Sequence, residues 1–219
     1  MSKPVCLVVG AGPGIGRAVS LAFAHEGYDL ALAARRQDKL EACCQEIRRT
    51  GRQARAYAAD AADETSLRAL FERCRAELGD PEVLVFNAAC AHKGRPTELG
   101  LNVWIDDFRC NVVGALVCAQ LAAPAMRARG RGSILITGGG FAHEPSAAHA
   151  SLSADKAALR SLSHTLAQEL GRDGIHVATV TVYGMLQVGT HFDPQRIAET
   201  YVQLHRQPRG HFDIEVTYK

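Results

Sequence analysis

Short apolar runs alternate along this chain with longer stretches whose apolar residues recur every three to four positions. The runs VCLVV (5–9), YDLALAA (28–34), ARAYA (54–58), VLVF (83–86), SILIT (133–137), HVATVTV (176–182) and FDIEVTY (212–218) have the length of strands. Helical spacing fills 14–25, 38–50, 63–77, 104–128 and 152–171, and a short loop and then a helix over about 194–206 follow the sixth strand. Asp63, with Ser66 nearby, and Asp38 ahead of Leu40 are expected helix starts. Strand–helix alternation of this kind implies an α/β fold, a doubly wound parallel sheet flanked by helices on both faces, with right-handed crossovers. Nothing in 1–219 reads as an internal repeat, a low-complexity segment or a linker, so one domain is expected.

Composition narrows the function classes. The net charge of +2 gives no general attraction to nucleic acid or to an acidic membrane. The arginine clusters RRTGR (48–52) and RARGRG (127–132) read as solvated helix ends, where cations meet the negative end of the helix dipole. None of the seven cysteines makes a CxxC pair; Cys43 and Cys44 are adjacent, and Cys6, Cys90, Cys110 and Cys118 stand in apolar surroundings. They read as small buried hydrophobes in a reducing compartment, with no disulfide or zinc framework and no metal site. MSKPVCLVVGAG runs into a glycine turn with no cleavage region, and no apolar run approaches the length of a membrane span. A cytoplasmic protein with no nucleic-acid or membrane partner is expected.

The first strand is followed by GAGPGIGR, in which Gly10, Gly14 and Gly16 are spaced GxxxGxG; Ile15 stands where the GxGxxG spacing would need glycine. A strand must turn tightly into a helix here. Its backbone, with Gly12, Pro13 and Ile15, offers unpaired N–H groups and a positive dipole end to a pyrophosphate. The second strand ends in Ala34, Arg35 and Arg36, with no acid to hold ribose hydroxyls. Arginine suits a 2′-phosphate, Arg17 can add to it, and NADP(H) is favoured over NAD(H). The alternative is that these arginines coat a helix entry.

GAGPGIGR, FNAAC (86–90), NVVG (111–114) and DKAALRSL (155–162) together resemble the short-chain dehydrogenase/reductase family, in order and spacing over essentially the whole chain. The resemblance implies a single Rossmann-type domain with a seven-stranded sheet that binds NAD(P)(H). It also implies that Asn87, Ala88 and Ala89 stand at the family's Asn-Asn-Ala-Gly, and that Asp60, followed by Ala61, contacts adenine. By the same resemblance Asn111 holds a proton-relay water and Lys156 holds the nicotinamide ribose. Family members pair through the two long helices, so a homodimer or homotetramer through 104–128 and 152–171 is implied; both helices carry alanine-rich faces.

Two expected groups are missing. The family's Tyr-x-x-x-Lys is Leu152-x-x-x-Lys156, and the position of its serine is Gly139. The proton donor that replaces the tyrosine is open between His149, three residues before Leu152, and Tyr183 in the VYG that stands at the family's Pro-Gly. His143 lies in a glycine-rich stretch, and neither it, His149 nor His191 has metal-ligand spacing. Ser151 or Ser153 is expected to cap the helix, with Asp155 in its first turn. The substrate lid is brief, about 185–192. Two readings stand: an NADP(H)-dependent oxidoreductase for a small carbonyl or alcohol with a non-standard acid, or a cofactor-binding pseudoenzyme acting as sensor or partner subunit. An interaction protein that has lost the nucleotide fits the residues less well.

Overall fold

In the computed structural model, which describes residues 3–219, alternate residues of β1 (Val5–Val9) enter two separate cores. Val5, Leu7 and Val9 pack under α3 (Glu64–Glu77), α5 (Gly114–Arg129) and α6 (Ala150–Leu170). Cys6 and Val8 pack under α1 (Ile15–His25), α2 (Glu41–Arg49) and α7 (Pro194–His205). This is the period of two of a strand whose side chains face opposite layers. The remaining strands are β2 (Asp29–Ala34), β3 (Ala54–Ala58), β4 (Val83–Phe86), β5 (Gly132–Gly139), β6 (Ile175–Val182) and β7 (Glu215–Tyr218). All pair in parallel, in the order β3-β2-β1-β4-β5-β6-β7. The strand order reverses at β1, which opens a crevice at its carboxyl end between β2 and β4.

Local expectations hold unevenly. Asp63 caps α3, its Oδ1 accepting from Thr65 N at 2.9 Å, while Ser66 Oγ accepts from Asp60 N at 3.0 Å. Asp38 caps nothing, because a 3-10 turn over Gln37–Leu40 precedes α2. The last strand is shorter than expected: Phe212 stacks on His176, ring centroids 4.3 Å apart, instead of entering the sheet. The arginine clusters do lie in last turns. Arg127 pairs with Glu169 at 2.6 Å and with Asp173 at 2.8 Å, and Arg48 pairs with Glu41 at 2.6 Å.

The helix expected over 104–128 is three pieces: α4 (Leu101–Phe108), a π turn over Arg109–Val113, and α5. Two contacts at this turn account for the offset. Asn111 is pulled inward onto the loop after β4, and Gly114 lies so near Ala61 that an added Cβ would be 2.2 Å from its carbonyl oxygen. By length and mean hydropathy (1.3), Leu101–Arg129 does qualify as a candidate span, against the expectation from sequence. In this fold 56% of that window is buried, because α5 packs on the sheet.

Ser151 and Ser153 do not cap α6, which begins earlier, after His149, with no side-chain cap. Ser151 Oγ donates to the buried Asp107 Oδ2 at 2.7 Å, and Ser153 Oγ donates back to His149 O at 2.8 Å. Asp155 lies beyond the first turn. It is 1% exposed and accepts a hydrogen bond from Asn111, so burial and not the dipole governs it.

Glu215 anchors β7. Its Oε2 accepts from Arg160 Nε at 2.8 Å, and its Oε1 accepts from Thr181 Oγ1 at 2.7 Å and from His143 at 3.1 Å. Burial alone would raise this carboxyl, but the bonds from Arg160, Thr181 and His143 outweigh it and bring Glu215 down to about 2. A depressed carboxylate contributes stability above its unfolded pKa and loses it as pH falls toward the folded value. Glu215→Gln is therefore expected to cost about 2–3 kcal/mol in urea unfolding at pH 7. The gap to the parent protein should close between about pH 4.5 and pH 2; a gap independent of pH in that window would refute the charge-based account.

Candidate active site

The crevice at the carboxyl end of β1 is a cleft of about 270 Å3, walled by the glycine turn, the ends of β2 and β3, and the loop after β4. Gly10 sits at φ +89°, and a Cβ there would lie 2.3 Å from Ala88 N. No other residue fits at that approach. The turn is pinned to β2 by Gly10 N and Ala11 N, both donating to Ala33 O at 2.8 and 3.0 Å. Gly16 lets α1 start against the turn, since a Cβ would be 2.2 Å from Gly10 O. Gly12 faces open space on the cleft side, and Gly14, at φ +92°, precedes the first residue of α1.

Asn87 is the keystone. Its Nδ2 donates to Gly10 O at 2.8 Å and its Oδ1 accepts from Thr137 Oγ1 at 2.8 Å, which ties β4 to β1 and β5. Ala88, Ala89, Asp60 and Ala61 line the cleft with it. Arg35 stands at the mouth, exposed, whereas Arg36 and Pro13 are exposed but outside the lining. Arg17 is drawn away to Glu46 of α2, at 2.5 Å. Ile15 is buried and faces a second cavity.

That second cavity, about 460 Å3, opens beside Lys156 and is lined by Leu152, the glycines 138–140, Phe141, Tyr183 and Leu186, with Glu144 its one acid. Lys156 is 8% exposed and donates from Nζ to Thr137 O at 2.7 Å. Burial brings its ammonium down to about 8, against the pull of Asp155 and Cys110. An added Cβ on Gly139 would touch Lys156 only at 3.6 Å, ordinary contact. At Gly140 it would lie 2.8 Å from Tyr183 Cδ1, so this glycine seats the tyrosine ring. Lys219 Nζ lies 4.4 Å from the centre of that ring. Burial first, then Glu144 and Glu215, raise the Tyr183 phenol, against Arg160.

The other candidates lie elsewhere. His149 stacks on Phe141, centroids 5.3 Å apart, and does not line the cavity; its buried Nδ1 has no partner among the described residues. His143 is bound to Glu215, and His191 stacks on Tyr218 at 4.6 Å. Among the described residues, no group of three or more His, Cys, Asp and Glu side chains could hold a metal. Asn111 is saturated: Nδ2 donates to Cys90 O at 2.8 Å and to Asp155 Oδ2 at 2.7 Å, and Oδ1 accepts from Cys90 N at 2.7 Å.

Sequence reasoning missed several residues. Thr137 joins Asn87 to Lys156, and its hydroxyl also meets Tyr201 OH at 2.7 Å. Cys90 is half-buried and, with Cys110, lines the cleft instead of a hydrophobic core alone. An acid directly before Lys156 was a visible signal for Asp155; the cysteines gave none.

The short chain dehydrogenase family model matches residues 4–193. Short-chain dehydrogenase/reductase eriH of Hericium erinaceus is 33% identical over 181 residues, 80% of this chain and 71% of that protein. The 3-oxoacyl-acyl-carrier-protein reductase FabG of Staphylococcus aureus is 31% identical over 175 residues, again 80% and 71% of the two chains. A metagenomic short-chain oxidoreductase, solved in complex with NADP, superposes with a TM-score of 0.91 at 28% identity, covering 99% of this chain and 96% of that one. With a seven-stranded parallel sheet, a glycine turn closed by Asn87, and these matches along its length, the chain belongs to the short-chain dehydrogenase/reductase family.

Proposed function

We propose that this chain is an NADP(H)-dependent oxidoreductase for a small, largely apolar carbonyl or alcohol, with Tyr183 in place of the missing tyrosine. The observation that carries it is the seating of the Tyr183 ring on Gly140, in the same cavity as Lys156 and Leu152. The residues fit the dinucleotide: Gly12 leaves open space on the cleft side where a pyrophosphate approaches, and Lys156 offers the ribose an ammonium already held by Thr137 O. Arg35 at the mouth, with no acid at the end of β2, favours a 2′-phosphate, and a similar structure holds NADP. When bound, the nicotinamide supplies or accepts the hydride. Tyr183 Oη holds the proton for the substrate oxygen, and Ile15, Phe141, Leu152, Val182, Met185 and Leu186 give the cavity its apolar wall.

The absence of a hydroxyl at both Leu152 and Gly139 favours a second reading, a cofactor-binding pseudoenzyme. Subunit pairing is also proposed. Leu101 (73% exposed), Ile105 and Phe108 recur at helical spacing on α4, with Val113 beyond them, as an apolar stripe for a second copy.

Arg35→Ala is expected to weaken NADPH binding about 10- to 100-fold, the loss of a charged hydrogen-bond pair, and to leave NADH binding unchanged in fluorescence titration. On a panel of carbonyls and alcohols, Tyr183→Phe should lower kcat by about 10²–10⁴ at unchanged NADPH affinity. If the parent protein binds NADPH but turns over nothing on the panel, the pseudoenzyme reading replaces the first. Light scattering should show a dimer or tetramer, and Ile105→Glu with Phe108→Glu should give a monomer with the same NADPH affinity; a parent protein that is already monomeric sinks the pairing.

A further inference from the structure

Cys90 and Cys110 come from different elements, the loop after β4 and the π turn, yet both line the cofactor cleft beside Gly10, Asp60 and Asn87. The two segments are clamped together. Cys90 N donates to Asn111 Oδ1 at 2.7 Å, and Asn111 Nδ2 donates back to Cys90 O at 2.8 Å, so the residue after Cys110 is fixed on Cys90. Cys110 is 5% exposed, whereas Cys90 is only half-buried.

The other five cysteines are buried, and burial pushes their thiols up. Cys90 alone is lowered. A hydrogen bond from the Cys110 thiol is the main cause and Arg35 assists, against burial, Asp107 and Asp60. Cys110 is raised by that same hydrogen bond, then by burial, Cys90 and Asp60, against Arg35. A half-buried cysteine lining the cleft, with a second cysteine lining the same cleft on a segment clamped to its own, offers both a nucleophile and a resolving partner.

We propose that Cys90 and Cys110 form a peroxide-reactive dithiol in the cofactor cleft, and that its disulfide and a bound dinucleotide exclude each other. The Cys90 thiolate attacks one oxygen of hydrogen peroxide and the O–O bond breaks. The departing hydroxide takes a proton from solvent as water, and Cys90 becomes a sulfenic acid. The Cys110 sulfur then attacks Cys90, the S–O bond breaks, and the leaving hydroxide departs as water with the Cys110 proton. Two sulfurs lose two electrons in all, and one peroxide is reduced to two waters. Exclusion follows from position. A dinucleotide lying in the cleft covers the path by which peroxide reaches Cys90. The disulfide in turn draws the Cys90 loop, which begins at Asn87, toward the π turn and disturbs the bond that holds Gly10.

The exclusion rests on the cofactor reading above, so the test separates the two. The full, reduced chain is treated with hydrogen peroxide, then alkylated and peptide-mapped. Loss of two thiols, a mass lower by about 2 Da, and a Cys90–Cys110 peptide are expected. Cys110→Ser should instead leave a sulfenic acid on Cys90 that dimedone captures, and Cys90→Ser should leave all its thiols free. NADPH present during oxidation should slow it at least tenfold, and the oxidised protein should bind NADPH at least tenfold more weakly, with dithiothreitol restoring both. Seven free thiols after treatment, or a link between other cysteines, overturns the dithiol. Equal NADPH affinity in the reduced and oxidised protein overturns the exclusion. Failure of the reduced protein to bind NADPH overturns both the cofactor reading and the exclusion.

Discussion

The side chain of Asn87 carries the geometry of the whole site. It follows β4, the strand that joins β1 on the side opposite β2, and spends its amide on Gly10 O and its carbonyl on Thr137. Thr137 in turn offers its own carbonyl to Lys156 Nζ. One hydrogen-bonded path therefore runs from the glycine turn, across β1, β4 and β5, to the lysine of α6. All of these groups are at least partly buried, where an unpaired polar atom is costly. Position errors at either end would leave such an atom, so the phosphate-facing turn and the ammonium are held in one frame.

The wall of the second cavity carries no hydroxyl at Leu152 or Gly139. At Gly139 an added Cβ would meet Lys156 at 3.6 Å, ordinary contact. Gly140 and Gly138 are under stricter demand. A Cβ at Gly138 would lie 2.6 Å from Thr179 Cγ2, and one at Gly140 would enter the Tyr183 ring. The run of three glycines is thus two close approaches with one open position between them, and the tyrosine after β6 occupies space that a side chain at 140 would take.

The layers of the fold were legible because burial imposes a period on the sequence. All seven strands and six of the helical segments were readable to within a few residues, and the glycine turn announced its own backbone needs. Offsets that depend on distant contacts were not legible. The π turn at Asn111 answers to Cys90 and Ala61, more than 20 residues away in the chain for the first and about 50 for the second, and no local propensity encodes it. Nor could Ser151 be assigned, since its partner Asp107 is fixed only once α4 packs beside α6, while Ser153 turns its hydroxyl back along α6 to His149 O. Cys90 and Cys110 looked alike as apolar-flanked cysteines; only the fold shows that both line the cleft and that Cys90 is the less buried of the two.

The donors of Lys156 bear on what the site can bind. An ammonium carries about three donors, and among the described residues Nζ has one hydrogen bond, to Thr137 O. Burial already weakens its charge, bringing it to about 8, so the remaining donors are not compensated by water as they would be at the surface. Leucine at 152 supplies no acceptor. A vicinal diol, as in a ribose, supplies two oxygens of the right kind at once, and the proposed dinucleotide would satisfy the lysine where Leu152 cannot. A lysine kept only for packing would fare better as leucine or methionine in such a place, since a buried cation with unmet donors costs more than the apolar residue that could replace it. The physical case for a ligand at Lys156 is therefore stronger than the case for any one proton donor beside it.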